Sequence, residues 1–138
     1  MEAMELNQWF QPGQQEEFRF VVSDHHTAIH LGSGAARVLA TPWMIAMMEG
    51  TAHRLLARHL PAGQSSVGVV VNVRHLAATP VGEEVRVQAE VVSVDGLRVN
   101  FRVRAWDAHE LIGEGEHQRA VIDEARFFKR VLAKGEGA

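Results

Sequence analysis

Glu49 stands in "TPWMIAMMEGTAHRLL", directly after six apolar residues, Trp43 to Met48. Leaving a carboxylate unpaired in a dry interior costs several kcal/mol, so this one must be paired, protonated or open to a water-filled cleft. Two readings follow. Glu49 is a structural acid, paired with His53 one turn on or facing a dimer seam. Or it is a catalytic base or nucleophile. His75 is the second candidate. It closes a β-branched run, Val67, Val69, Val71 and Val73, and shares their face unless a bulge intervenes. An imidazole there can act as general acid or base, or sit in the core bonded to a backbone carbonyl. Thr41 is the third. It fits the N-cap of the helix that Pro42 opens, a role worth ~1 kcal/mol. The free amides of Trp43 and Met44 at such a helix start can steady an oxyanion. Thr41 and Glu49 are two helical turns apart, ~12 Å of rise, so a substrate or water has to span them.

Other features carry less. His25, His26 and His30 match no standard metal spacing and read as surface or lid. "GEGEHQR" precedes no helix and is not a phosphate loop, and no GxSxG elbow occurs. Arg98, Arg102 and Arg104 alternate with apolar residues and face outward, as a solvated strand face or against the phosphates of a nucleotide-like group.

These residues need elements to hold them. "EEFRFVVS" (residues 16–23) reads as a first strand, and the Gly-Ser-Gly after the histidines as a mobile loop. The helix should run from Pro42 to about His59, where "LPAG" ends it. Four long strands in meander follow. The first is "SVGVVVNVRH", and Val85, Val87, Ala89 and Val91 alternate with polar residues in the second. "DG" at 95 and 96 signals a hairpin, and Leu97, Val99, Phe101 and Val103 alternate after it. "HELIGEGEHQRAVI" is the last strand, with Gly113 and Gly115 hinting at close packing or a bend. "DEARFFKRVLAK" closes the chain as a short amphipathic helix. A helix apolar nearly all round must be covered on most sides. A curved antiparallel sheet wrapped round one central helix does this, an α+β hotdog fold. A cone-shaped α+β fold is the alternative, but it needs several N-terminal helices where one long helix is visible.

The chain has 138 residues, enough for one domain with a full core. Residues 1–12 and 134–138 are expected to be peripheral or frayed. Net charge is −3, which argues against a general nucleic-acid binder. Without cysteine there is no disulfide, thiolate metal site or thiol nucleophile. No apolar run approaches the ~20 residues of a membrane span. The acidic, polar start "MEAMELNQWF" is no signal peptide, so the expected compartment is the cytoplasm.

Nearly the whole chain, from "FRFVVSDHHT" to "RFFKRVL", resembles the hotdog thioesterases related to fluoroacetyl-coenzyme A thioesterase. "ATPWMIAMMEGTA", "SSVGVVVNVRHLAATPVGEEV" and "IGEGEHQRAVI" are the most specific pieces. The resemblance implies an active site of Thr41, Glu49 and His75 lined by Gly68, hydrolysing an acyl-coenzyme A thioester. Glu49 would attack the carbonyl or activate water, His75 would move protons and Thr41 would position the acyl group. Amides of Trp43, Met44 or Gly68 would hold the oxyanion. It implies no cofactor or metal beyond the coenzyme A of the substrate, and a homodimer or dimer of dimers with sites near the seam. The fluoroacetyl-specific member has a longer, Phe-bearing, proline-rich lid before the threonine. Here that stretch is "LGSGAARVL", without an aromatic, which points to a short-chain or otherwise activated acyl group. Two rival functions are a non-catalytic acyl-coenzyme A or lipid binder and an enoyl-thioester hydratase. The hydratase lacks its "G-D-x-N-P-x-H" type segment here.

Overall fold

A computed structural model describes residues 5–136. Its strands are β1 (Gln15–Val21), β2 (Gln64–His75), β3 (Glu84–Asp95), β4 (Arg98–Trp106) and β5 (Leu111–Asp123). Its helices are α1 (Ala28–Leu31), α2 (Thr41–Ala57) and α3 (Glu124–Glu136), with short 3-10 turns at Leu6–Gln8 and Asp24–His26. The strands form one antiparallel sheet in the order β1-β3-β4-β5-β2. Helix α2 touches all five of them, so the sheet curves around it as the hotdog arrangement requires.

The alternation in the sequence accounts for the faces. Val85, Val87, Ala89 and Val91 on β3 and Val99, Phe101, Val103 and Ala105 on β4 point inward and are buried. Arg98 and Arg102 are exposed, and Arg104 is half-buried on the same outward face. Helix α2 buries Met44, Met48, Thr51, Ala52, Leu55 and Leu56, a stripe with helical spacing. Each large apolar side chain buried this way contributes about 1.5–3 kcal/mol.

Several expectations are corrected. Only β3, β4 and β5 form a meander. β2 crosses to the far edge and pairs with β5, and no other strand among the described residues pairs with its second side. The β3–β4 turn is Gly96–Leu97, with Asp95 and Arg98 as the last pair, one residue later than Asp95–Gly96. Only Gly96 has positive φ there, at +59°, the pattern of a turn with glycine first. The segment after β1 is not an open loop. It folds into the Asp24–His26 turn and α1, and bridges Thr27 to Leu39 and Val38 to Pro80. The N-terminal stretch is not peripheral either, because Leu6 and Phe10 are buried in the core. At the other end α3 continues through Glu136, and residues 137–138 of the expected frayed tail lie outside the described residues.

Helix α2 begins one residue earlier than expected. Ala40 is its N-cap and Thr41 its first residue, so the Thr41 hydroxyl caps nothing. Pro42 tolerates this, since the second helical position still needs no amide donor. The shift frees the Thr41 side chain for another partner.

Candidate active site

Along α2, Thr41, Ile45, Glu49 and His53 recur every four residues and so share one face. That face lies against the inner side of β2. Thr41 Oγ1 is 2.7 Å from His75 Nδ1. Two turns on, a Cβ at Gly68 would meet Glu49 Oε2 at 2.8 Å. One turn further, His53 Nδ1 is 2.8 Å from Ser66 Oγ. Helix and strand therefore run in opposite directions, matched at three points. Because β2 is an edge strand, this seam is open on its outer side.

A bulge makes the match possible. The β2–β5 register shifts between Gly68 and Val70, so Val69 has no partner on β5. Before the bulge Ser66 and Gly68 face inward; after it Val71, Val73 and His75 do, opposite His117, Gly115 and Gly113 of β5. Val67 therefore does not share the face of His75 as the unbroken alternation predicts. The extra residue reverses the phase, as a bulge must. Val69, Val70 and Val71 are correspondingly 41–46% exposed.

His75 is half-buried, and its Nε2 lies under the surface with no hydrogen-bond partner among the described residues. Burial pushes its imidazole below the ordinary histidine value, and the Ala77 backbone partly offsets this. The ring is thus neutral near pH 7, with Nδ1 reached through the Thr41 hydroxyl and Nε2 shut away from the surface.

Glu49 does not pair with His53. Its nearest cation is Arg119, with 3.8 Å between Oε2 and Nη1, and its side chain is 39% exposed. Arg119 was not evident as a site residue from the sequence, nor were its partners Ser66 and His117. It is 7% exposed, a buried cation held on three sides. Nε donates to Ser66 Oγ at 2.9 Å, Nη2 to the Ser66 carbonyl at 3.1 Å and Nη1 to His117 Nε2 at 3.1 Å. Burial lowers the Arg119 pKa and Glu49 opposes that, but a guanidinium stays charged. The available signal was period 2 on β5. Gly113, Gly115, His117, Arg119 and Val121 form one alternation ending on an inward valine, which puts His117 and Arg119 on the inner face.

Gly68 occupies the closest approach of the site. An added Cβ there would stand 2.8 Å from Glu49, and 3.5 Å from both Arg119 Nη1 and His117 Cε1.

The helix-start donors divide. The Met44 amide is taken by the Ala40 carbonyl at 3.1 Å, because the helix starts early, and the Met44 side chain is fully buried. Met44 is thereby corrected from oxyanion donor to core residue. The Trp43 amide has no hydrogen bond among the described residues. Its indole lies on the other side of the helix from Thr41, with ring centroids 4.9 Å from His26 and 5.7 Å from His25. His26 is accordingly buried rather than on the surface. A separate hollow on the sheet's outer side holds Arg19, Arg86 and Trp106. Both arginines are already paired there, with Glu84 and Glu17, so they offer no spare cation.

Comparison with known proteins decides the family. Residues 22–125 match the family model described as fluoroacetyl-CoA-specific thioesterase. The chain belongs to this family. It is 39% identical over 128 residues to the fluoroacetyl-CoA thioesterase of Streptantibioticus cattleyicolor, covering 88% of this chain and 92% of that one. A solved structure of the fluoroacetyl-CoA thioesterase superposes with a TM-score of 0.86 at 38% identity, over 91% of this chain and 97% of that one. A thioesterase superfamily member from Thermus thermophilus matches at 30% identity and TM-score 0.85, over 94% and 98% of the two chains. A hot-dog-like protein from Thermanaerovibrio acidaminovorans reaches TM-score 0.88 at 28% identity, over 95% and 97%. Family membership and fold thus agree with the resemblance carried by the Thr41, Glu49 and His75 segments. No helix among the described residues is long and apolar enough to cross a membrane.

Proposed function

We propose that this protein is a thioesterase that hydrolyses an acyl-coenzyme A to the free acid and coenzyme A. The observation that carries the reading is the open seam between α2 and β2, where Thr41 meets His75 and Glu49 meets Gly68, with Arg119 of the neighbouring β5 beside Glu49. The thioester carbonyl sits between them. As base, Glu49 takes a proton from water while the water oxygen attacks the carbonyl carbon. As nucleophile, a Glu49 oxygen attacks that carbon, and water then cleaves the mixed anhydride. In both routes charge gathers on the carbonyl oxygen, where Arg119 Nη1 and the Gly68 amide can meet it; the Trp43 amide, about 9 Å up the helix from Glu49, is too far to share that oxygen. The C–S bond breaks and the thiolate leaves as thiol, its proton passing through the Thr41 hydroxyl that meets His75 Nδ1. The reaction needs no cofactor or metal; coenzyme A enters as part of the substrate.

The acyl group is small or electronically activated. The family is named for a fluoroacetyl substrate. Before Thr41, however, this chain has "LGSGAARVL" without an aromatic, and Ile29 and Leu31 of α1 are exposed. Acetyl to butyryl and halogenated short-chain thioesters are the expected substrates.

The working unit is a homodimer. The free edge of β2, with three half-exposed valines in a row, is a template for strand pairing with a second copy. The site opens on that same edge.

The test is thiol release across coenzyme A esters from acetyl to aromatic and halogenated. Turnover with Glu49→Gln nearly inactive, and its fold intact, is the expected result. A protein that binds these esters for hours without releasing thiol is a binder, not a thioesterase. Oxygen-18 entering the Glu49 carboxylate in a single turnover distinguishes nucleophile from base.

A further inference from the structure

His117 lies next to the site, and its hydrogen bonds fix its chemical state. It is 2% exposed on the inner face of β5, with its ring stacked 6.3 Å from Phe101. Nδ1 is 2.8 Å from the Val70 carbonyl, at the bulge. A carbonyl oxygen only accepts, so Nδ1 carries the proton. Nε2 faces Arg119 Nη1 at 3.1 Å, and a guanidinium only donates, so Nε2 carries the lone pair. The neighbours therefore allow one form, the neutral ring protonated at Nδ1. A second proton would set an N–H against an N–H and a cation against a cation.

The consequence falls on Arg119. Its Nε and Nη2 are anchored on Ser66, but only His117 holds Nη1. Nη1 is also the atom nearest Glu49 and nearest an added Gly68 Cβ. It has two hydrogens, so the one not given to His117 remains for the seam. We propose that His117 is a positioning residue, a neutral acceptor fixed by the Val70 carbonyl that aims the second Nη1 hydrogen of Arg119 into the seam beside Glu49. This rests on the thioesterase reading. The bulge then has two tasks. It reverses the phase that brings His75 inward, and it supplies the carbonyl that sets the His117 tautomer. His53 of α2 lies near Arg119 and shares Ser66 with it, and the other charged group acting on His117 is Glu49 of α2. Glu49 works against its burial and Arg119, which keep the ring below the ordinary histidine range. His53 is itself held low by burial, with Arg119 and Arg54 adding to the effect.

Two variants test the role. His117→Leu keeps bulk against Phe101 and removes the acceptor. His117→Gln restores an acceptor oxygen toward Arg119. In the leucine variant kcat should fall about tenfold or more with KM within about twofold, since aim and not binding is lost. The glutamine variant should recover most of that loss. Full kcat in His117→Leu, in a protein whose wild type hydrolyses thioesters, overturns the role, as does a loss that glutamine does not rescue. A second readout needs no activity: nitrogen-15 NMR of the wild type should show His117 protonated at Nδ1 alone and unchanged from about pH 8 to pH 6. Finding the proton on Nε2 overturns the clamp even if the enzyme turns over. Finding the expected tautomer in a protein that releases no thiol overturns the thioesterase reading instead.

Discussion

Glu49 Oε2 and Arg119 Nη1 stand 3.8 Å apart, within reach of each other's charge but not joined by a hydrogen bond. Burying a guanidinium is costly, and direct contact with the carboxylate would offset more of that cost. The structure instead ties Arg119 to Ser66 and His117 and keeps Glu49 at ion-pair distance only. That separation is too short to hold an oxygen between the two atoms, so a substrate oxygen accepting from Nη1 has to approach from the seam, beside the carboxylate. Arg119→Lys keeps the charge but loses the fork that Ser66 and His117 grip. Its kcat should drop about a hundredfold, the scale of losing one oxyanion donor, with a smaller change in KM. Equal kcat in the lysine variant removes Arg119 from the chemistry.

Gly68 and Gly115 separate activity from stability. At Gly68 the atom in the way of a Cβ is the end of the flexible Glu49 side chain, 2.8 Å off. Gly68→Ala should fold with a melting temperature near wild type, because the carboxylate can swing aside, but it should lose most of kcat. At Gly115 a Cβ would run into backbone, the Asn72 carbonyl and Val73 Cα at 2.6 Å. Gly115→Ala must push β2 away from β5, at a cost of about 1–3 kcal/mol or more. Thermal melts and turnover on both variants check the pair. An active Gly68→Ala places Glu49 elsewhere during turnover.

Much of this was legible in the sequence, and the misses have physical causes. Period 2 in β3 and β4 located the inner and outer faces, and Pro42 with the apolar run located α2. Glu49 and His75 stood out because a charge and an imidazole broke apolar patterns. The bulge at Val69 was not legible. It needs only one extra residue, and a glycine in a valine run is a weak sign of it. An unbroken strand would put Val67 on the face of His75, and the bulge is the exception that turns the two to opposite sides. Arg119 was missed for a different reason. "GEGEHQR" looks like a solvated polar stretch, and only its alternation with Val121 shows that His117 and Arg119 face inward. A threonine before Pro42 fits an N-cap by residue type, but the His75 ring 2.7 Å away offers its hydroxyl another partner.

The Thr41–His75 contact can be tested by its geometry. Thr41→Ser keeps the hydroxyl that meets Nδ1 and should retain activity within about tenfold. Thr41→Val keeps the shape and removes the bond, leaving Nδ1 as well as Nε2 without a partner. Removing one member of such a pair costs about 1–3 kcal/mol for the group left behind. The valine variant should lose at least tenfold in kcat. Similar kcat for valine and wild type denies Thr41 a part in orienting His75.

Acid sensitivity follows from four histidines. His26, His53, His75 and His117 are all held below the ordinary value of 6.5, with burial the largest cause for each. The folded state therefore favours the neutral rings, while the unfolded chain takes up protons as soon as pH falls through 6.5. Stability is full above that value and declines as pH drops toward the lowered folded values. The melting temperature should fall between about pH 6.5 and pH 5, before most carboxylates titrate, and His117→Gln should flatten part of that slope. A melting temperature flat across this window contradicts the burial of these rings.

The free edge of β2 gives the last prediction. Val69, Val70 and Val71 are 41–46% exposed on a strand with a partner on one side only. Charged residues on an edge strand are what proteins use to prevent pairing. Val69→Lys with Val70→Lys should therefore turn a dimer into a species near the 15.3 kDa of one chain in light scattering. Neither side chain touches the Thr41, Glu49 or Arg119 contacts, so lost turnover in that monomer means the site needs its partner. A wild-type protein that already scatters as a 15.3 kDa monomer at micromolar concentration rules out β2 pairing in solution and leaves the valine edge without a strand partner.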